Sequence, residues 1–122
     1  MRTSYFARLK DISNPVSICG KAPDWYHGPQ FKVLAPKYDF FMAYKLGEID
    51  AAGYTEAFNR LVLAPLDPYD TYSHIIDTWG LRVTLLCYEK PGEFCHRRLV
   101  AKWFEDNLVG THIPELGLRQ NR

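Results

Sequence analysis

Residues 81–98 have the sequence LRVTLLCYEKPGEFCHRR, an apolar run followed by a turn and a group of reactive side chains. The first part, residues 81–87, is almost continuously apolar, which is typical of a strand covered on both faces in a parallel sheet. From Cys95 onward, apolar residues recur at helical spacing until Gly110. The stretch therefore predicts a strand, a loop and a helix, the unit from which α/β domains are built.

The rest of the chain alternates in the same way between short apolar runs and helical patterns, separated by Gly and Pro. Residues 111–116, THIPEL, fit a last short strand or an extended tail. This alternation predicts an α/β fold with a mainly parallel sheet. Strands fit residues 3–9 and 15–19, and helices fit residues 38–46, 50–62 and 69–78.

Length and composition restrict the class of protein. A chain of 122 residues suits one domain over residues 1–122, and 47% hydrophobic residues exclude a disordered chain. The formal net charge of +1 provides no global field toward nucleic acid or anionic lipid, so any such partner must be held by a local patch. The composition thus favours a globular domain.

Two features of the sequence lead us to expect a cytoplasmic protein: no recognisable targeting or membrane-spanning segment, and an odd number of cysteines. No apolar run approaches the ~20 residues that span a bilayer, and the start MRTSYFARLKD lacks the apolar centre of a secretory signal, so we expect no membrane partner. Three cysteines form an odd set in a chain large enough to build its own core, which argues against a disulfide framework. We therefore expect reduced thiols.

The corner between the predicted strand and helix is the candidate site. Cys87 ends the strand and Cys95 begins the helix, where open α/β sheets bind ligands. A helix start favours a bound anion or a thiolate. At about 100° per residue, His96 falls near the centre of the apolar face and Arg97 near its edge, while Arg98 points away. The planar guanidinium of Arg97 is suited to bind a phosphate or carboxylate.

Four interpretations of this corner stay open at this point. An anion-binding site at the helix start with Arg97 is favoured, because it needs the fewest coincidences. A nucleophilic site would use Cys87 or Cys95 with His96 as base or acid. A metal site would use the same two cysteines and His96, with Cys19 as a further ligand, although adjacent helical residues diverge by about 100°. The fourth interpretation is a packed corner without chemistry.

The loop GKAPDWYHGPQFKVLAP, residues 20–36, follows a neighbouring predicted strand and is expected to start at the same edge of the sheet. Trp25 and Tyr26 would then cover the corner and stack on a planar ligand, while Lys21 would add positive charge. An aromatic plug over the core explains the same residues equally well.

Residues 85–104, LLCYEKPGEFCHRRLVAKWF, resemble the signature of the family called domain of unknown function 488, in which a strand ends in Leu-Cys-x-Glu and Cys-His-Arg opens a helix. The resemblance extends to residues 16–36, 44–58 and 113–116. It implies a single Rossmann-like three-layer domain and a shared pocket, but no settled reaction. The matching positions are Cys87, Glu89, Cys95, His96 and Arg97, together with Trp25, Tyr26 and Gly28.

These observations predict a small cytoplasmic α/β domain whose pocket binds an anionic, phosphate-bearing ligand such as a nucleotide or a nucleic-acid end. Two alternatives remain, a metal-binding or redox domain and a non-catalytic module that sequesters a ligand or blocks a protein partner. The sequence identifies no cofactor and does not decide whether the protein is an enzyme. The predicted ligand-binding residues are Arg97, Trp25, Tyr26, Gly28 and Lys21, the candidates for thiol or acid/base catalysis are Cys87, Cys95, His96 and Glu89, and the metal alternative uses Cys87, Cys95 and His96.

Overall fold

The sheet is built around the strand predicted from residues 81–87. A computed structural model describes residues 1–116 and places this strand between two parallel neighbours, with Thr3 and Val16 opposite Leu85. Every residue of the central strand is buried, as its apolar run predicts. The strands are β1 (Arg2–Tyr5), β2 (Pro15–Ser17) and β3 (Thr84–Cys87), in the order β1-β3-β2.

Within residues 1–116, four α-helices confirm the predicted helical stretches. Asp50 caps the second helix by accepting a hydrogen bond from the N–H of Gly53 at 2.8 Å, and Asp67 caps the third through the N–H of Asp70 at 2.9 Å. Each such cap stabilises a helix by about 1 kcal/mol. The helices are α1 (Tyr38–Lys45), α2 (Ala51–Phe58), α3 (Pro68–Trp79) and α4 (His96–Asn107), and a π-helical turn, Asn59–Leu63, continues α2.

The two faces of the sheet are covered differently. Leu85 packs into the main core with residues of all four helices. Leu86 points into a second cluster with Phe6 and Tyr26, which belong to a 3₁₀ segment (Phe6–Asp11) and to the loop after β2. The sheet therefore lies between a helical layer and a layer of short irregular segments, which confirms the α/β class with a parallel sheet.

The start and end of the described chain meet at β1. The predicted first strand stops at Tyr5, because Phe6 turns into the 3₁₀ segment and buries its ring under the sheet. Glu115 forms a parallel bridge with Thr3, and the N–H of Leu116 donates to the Thr3 carbonyl at 2.7 Å. Residues 111–116 are thus an extended tail against β1. Within residues 1–116, no helix has the length and apolar character that crossing a membrane requires.

Candidate functional site

An open cavity of about 730 Å³ lies where β3 ends and α4 begins, with α1 along one side. This volume is within the ~300–1,000 Å³ typical of small-molecule sites. Its position at the carboxyl end of a parallel strand is also the usual place for ligands in α/β sheets. The floor consists of Cys87, Cys95 and His96, the walls include Tyr38, Phe41, Tyr44, Tyr54 and Phe94, and the rim holds Lys21, Lys45 and Glu89.

The loop between β3 and α4 brings the floor residues together. Cys87 is the last residue of β3, and the chain reverses through Gly92, whose φ of 89° favours glycine. Cys95 is the N-cap of α4, with an extended backbone at φ −154° and ψ 143°. Its side chain is therefore not arranged as on a regular helix, and its Sγ lies 3.9 Å from Nδ1 of His96.

His96 is held in one orientation and one tautomer. Its Nε2 lies 2.7 Å from the carbonyl oxygen of Ile18, and its ring packs against Phe58. Because a carbonyl only accepts, Nε2 must carry the proton. In the neutral ring this leaves the lone pair on Nδ1, which is 3.4 Å from the Sγ of Cys87. His96 can therefore accept a proton or bind a cation on the side that faces the cysteines.

Two further side chains surround Cys87. Its thiol lies 3.4 Å from Oε2 of Glu89, which is partly exposed on the rim. Cys19 is buried at the same edge of the sheet, and its thiol donates to the carbonyl of Leu86 at 3.8 Å. The donor atoms of Cys19, Cys87 and His96 lie within 4.8 Å of one another, as do those of Cys87, Glu89 and Cys95. The residues that could hold a metal ion thus converge on Cys87.

Burial makes the two floor thiols poor acids. It raises the pKa of Cys87 well above the ordinary value, with a further contribution from its contact with Cys19. The pKa of Cys95 is raised for the same main reason, and the contact with Cys87 adds to it. Both groups are therefore thiols at neutral pH in the protein alone, and a thiolate here requires a positive charge nearby.

Arg97 lies inside the protein, but it does not contact the cavity. Its side chain is 0% exposed and binds Glu115 through two hydrogen bonds, Nε to Oε1 at 2.9 Å and Nη2 to Oε2 at 2.6 Å. Arg98, expected to point away, is half-buried and donates to Oγ1 of Thr3 at 2.8 Å. The geometry thus assigns Arg97 to the attachment of residues 111–116 to β1 and corrects the expectation that it faces a ligand.

The loop after β2 also differs from the expectation that it covers the site. Within the described chain, Trp25 and Tyr26 lie outside the cavity lining, and both pack edge-on against Phe6. A Cβ at Gly28 would lie 2.5 Å from the hydroxyl of Tyr26, so this glycine makes room for the tyrosine. Lys21 is the one residue of this predicted set that does line the cavity.

Sequence reasoning missed the aromatic wall. Tyr38, Phe41 and Lys45 recur at helical spacing on one face of α1, while Phe40 points into the core. Because apolar residues thus occupy two faces of a short helix, the pattern indicates a second surface besides the core. This signal was present in YDFFMAYK, and it would have identified the wall.

The wall and the rim are linked by Lys45. Its Nζ lies 3.9 Å from Oε1 of Glu89 and 5.3 Å from the centre of the Phe41 ring. The amine is therefore held between the aromatic wall and the carboxylate that contacts Cys87. A second lysine, Lys21, also lines the cavity, and its carbonyl accepts a hydrogen bond from the hydroxyl of Tyr88 at 2.6 Å.

Comparison with known proteins identifies the family. A family model described as the active DUF488-N3 subclade matches residues 6–108, which include β2, β3 and all four helices. No curated protein and no solved structure shows significant similarity to the chain. Since the family model covers most of the sequence and every element that lines the cavity, the chain belongs to the domain of unknown function 488 family.

Proposed function

We propose that the cavity binds an anionic ligand of nucleotide size and that the floor residues Cys87, Cys95 and His96, with Glu89 on the rim, carry out chemistry on it. One observation carries this proposal: a histidine with a fixed free lone pair and two thiols lie at the bottom of an open, aromatic-walled cavity at the end of β3. Reactive groups that converge in a cavity of this kind are the usual mark of an active site.

The walls support a planar ligand. Tyr38 is 73% exposed although it lies on α1 beside the core, and Phe41 and Tyr44 continue the same aromatic surface. Stacking of a base on such a ring is worth about 1–3 kcal/mol and tolerates different bases. A nucleobase is therefore a suitable occupant of the outer half of the cavity.

The charges at the rim support a phosphate group. Lys21 and Lys45 both line the cavity, and the N-terminus of α4, with its partial positive charge, points to the same region through Cys95 and His96. With Arg97 paired to Glu115, these lysines replace it as the cationic groups that contact the ligand.

The reaction at the floor would begin with a proton transfer. His96 offers Nδ1 as a base to the thiol of Cys87, and Oε2 of Glu89 contacts the same thiol. The family description calls its subclade active and names no reaction. We further propose a cytoplasmic location, since buried thiols at a reactive site suit a reducing compartment.

Thermal unfolding with a panel of nucleosides, nucleoside mono-, di- and triphosphates and inorganic phosphate tests the binding. A nucleotide at 100 times its Kd should add about 2.7 kcal/mol to the free energy of unfolding and raise Tm by several degrees. Tyr38→Ala and Lys45→Ala should lose most of this shift. Their matched controls are Tyr69→Ala, an exposed tyrosine on α3, and Lys102→Ala, which is also paired with a carboxylate. An unchanged Tm with every member of the panel would overturn the proposal.

The chemical step needs a separate test. The nucleotides that raise Tm are incubated with the protein and separated by chromatography, and product is expected with the wild-type chain but not with His96→Asn. A variant that binds the nucleotide as the wild type does and forms no product would place His96 in catalysis. If the wild-type chain binds nucleotides and converts none of them, the cavity is a binding site and the catalytic part of the proposal is wrong.

A further inference from the structure

The donor atoms at the floor are spaced as in a metal site. In a tetrahedral zinc site the ligand atoms lie about 3.5–3.8 Å apart, as Zn–S and Zn–N bonds of about 2.3 and 2.0 Å require. The Sγ of Cys87 lies 3.4 Å from Nδ1 of His96, and the Sγ of Cys95 lies 3.9 Å from the same nitrogen. The two sulfur atoms are within 4.8 Å of each other. The two nitrogen–sulfur distances need to change by only a few tenths of an ångström to give ligand positions of one tetrahedron, and the two sulfur atoms must come to about 3.8 Å of each other.

The hydrogen bond and packing of His96 are those of a metal-binding histidine. Metal-binding histidines usually donate their second ring N–H to a carbonyl or carboxylate, which fixes the ring and the tautomer. The Nε2 of His96 makes this contact with the carbonyl of Ile18 at 2.7 Å, and the ring is buried against Phe58. The lone pair on Nδ1 is thereby directed toward Cys87 and Cys95.

The backbone conformation of Cys95 removes the main objection that the sequence raises to a metal site. Adjacent residues on a regular helix diverge by about 100°, so Cys95 and His96 were expected to point apart. Cys95 is instead an N-cap with extended backbone, and its sulfur returns toward the imidazole. Both residues can thus bind one ion.

We propose that Cys87, Cys95 and His96 bind one zinc ion whose fourth coordination position faces the cavity. Two cysteine thiols would bind as thiolates and release their protons to water, so a divalent ion with a neutral histidine forms a site of zero net charge, which suits its burial. Three protein ligands and an open position are typical of catalytic zinc. Glu89 borders the open side, since its Oε2 lies 3.4 Å from Cys87.

This inference deepens the proposed function, because the open position would face the ligand of the same cavity. With the ion bound, Nδ1 of His96 is a zinc ligand and no longer a base, so the zinc ion takes over the activation of the ligand's anionic group or of a water molecule, and Glu89 is the base that remains beside it. Cys19 is the natural comparison residue: its sulfur also lies within 4.8 Å of the donor atoms of Cys87 and His96, but its thiol already donates to the carbonyl of Leu86 at 3.8 Å. We assign it no ligand role.

Metal binding is measured on the whole chain, purified without chelator, and on protein stripped by a chelator and then titrated with Zn²⁺ or Co²⁺. We expect one zinc per chain, and a cobalt spectrum with a thiolate-to-cobalt charge-transfer band and strong tetrahedral d–d bands. Cys87→Ser, Cys95→Ser and His96→Asn should each weaken zinc binding at least tenfold, while Cys19→Ser should bind as the wild type does.

Three results would overturn the assignment. The first is a wild-type chain that takes up no stoichiometric zinc or cobalt, a measurement that does not depend on the folding of any variant. The second is a cobalt spectrum without the charge-transfer band. The third is loss of the band in Cys19→Ser with retention in Cys95→Ser, which would exchange the two cysteines as ligands and so reject the proposed set.

The two proposals fail in different ways. Zinc uptake by a chain whose Tm no nucleotide raises would support the metal site and overturn nucleotide binding. Nucleotide binding by a chain that takes up no zinc would support the ligand site and overturn the metal. The Tyr38→Ala variant connects the two tests, since it should lose the nucleotide response and keep the cobalt spectrum.

Discussion

His96 and Arg97 are neighbours in the first turn of α4, yet they contact opposite edges of the sheet. His96 bonds to the carbonyl of Ile18 beyond β2, with its free nitrogen near Cys87 and the cavity. Arg97 bonds to Glu115 beside β1. One half of the family signature therefore forms the candidate reactive centre, while the other half attaches residues 111–116 to the sheet.

The difference follows from charge. A fully buried guanidinium must be paired. Glu115 binds that of Arg97 through both carboxylate oxygens, and the hydroxyl of Thr3 donates to the same carboxylate. The residues at the cavity floor can stay neutral when buried, so they need no such partner and keep lone pairs for a ligand. A charged residue in a family motif can thus be structural, and its neutral neighbours can carry the chemistry.

The largest expected effect comes from removing Arg97. Arg97→Ala leaves Glu115 buried without its partner, and we expect the free energy of unfolding to fall by about 3–5 kcal/mol, measured by urea denaturation. Arg60→Ala is the matched control, because it breaks an exposed pair with Glu56 and should cost below about 1 kcal/mol. A stable Arg97→Ala chain that fails to bind nucleotides would reverse the comparison and make Arg97 a ligand-binding residue.

A smaller loss is expected at the hydroxyl that supports the pair. Thr3 donates to Oε1 of Glu115 and accepts from Arg98, and it is completely buried. Thr3→Val keeps the shape and removes the hydroxyl, so the free energy of unfolding should fall by about 1.5–3 kcal/mol, as for hydrogen bonds to charged groups. Thr55→Val on the exposed side of α2 is the control and should change stability little. An equally small change in Thr3→Val would show that Glu115 does not need this contact.

The same pair should make stability fall in acid. Burial alone would raise the pKa of Glu115, but hydrogen bonds from Arg97 and Thr3 hold that pKa below its ordinary value of 4.5. A carboxyl with a lowered folded pKa stabilises the fold fully above its unfolded pKa, and this contribution is lost as the pH falls from 4.5 toward the folded value. Urea midpoints measured from neutral pH into this range should therefore decrease. In Glu115→Gln the decrease should be smaller, and a parallel curve would contradict the assignment.

The sequence predicted the elements of the fold better than the direction of side chains. The apolar run before Cys87, the cap at Asp50 and the helix after Cys95 all follow from local patterns, and the structure confirms them. The ion pair of Arg97 does not follow from a local pattern, because its partner Glu115 lies 18 residues away in a tail without periodicity. Long-range pairing of this kind leaves no spacing to recognise.

At the candidate site, too, the sequence predicted the position of elements better than the packing of side chains. Cys87 and Cys95 were placed at the sheet edge from the strand and helix ends alone, and they do line the cavity. Trp25 and Tyr26 were expected to cover the site because their loop begins at that edge, but both rings pack against Phe6 and lie outside the cavity lining. Where a long loop packs depends on tertiary contacts, whereas the apolar second face of α1 was visible in the sequence.

The smallest loss of stability is expected from a substitution at the cavity floor, where, in contrast to Arg97, the side chain should matter for function more than for folding. Cys87→Ala removes one buried sulfur atom that bears no charge, so the free energy of unfolding should fall by only about 0.5–1.5 kcal/mol, as for other small truncations in a core. The same change should abolish nucleotide conversion and zinc uptake, measured by chromatography and by cobalt absorption. Arg97→Ala, studied at low temperature where it remains folded, should show the opposite pattern. If Cys87→Ala is instead the more destabilised variant and retains both activities, the floor is structural and the division between the two neighbours of α4 is wrong.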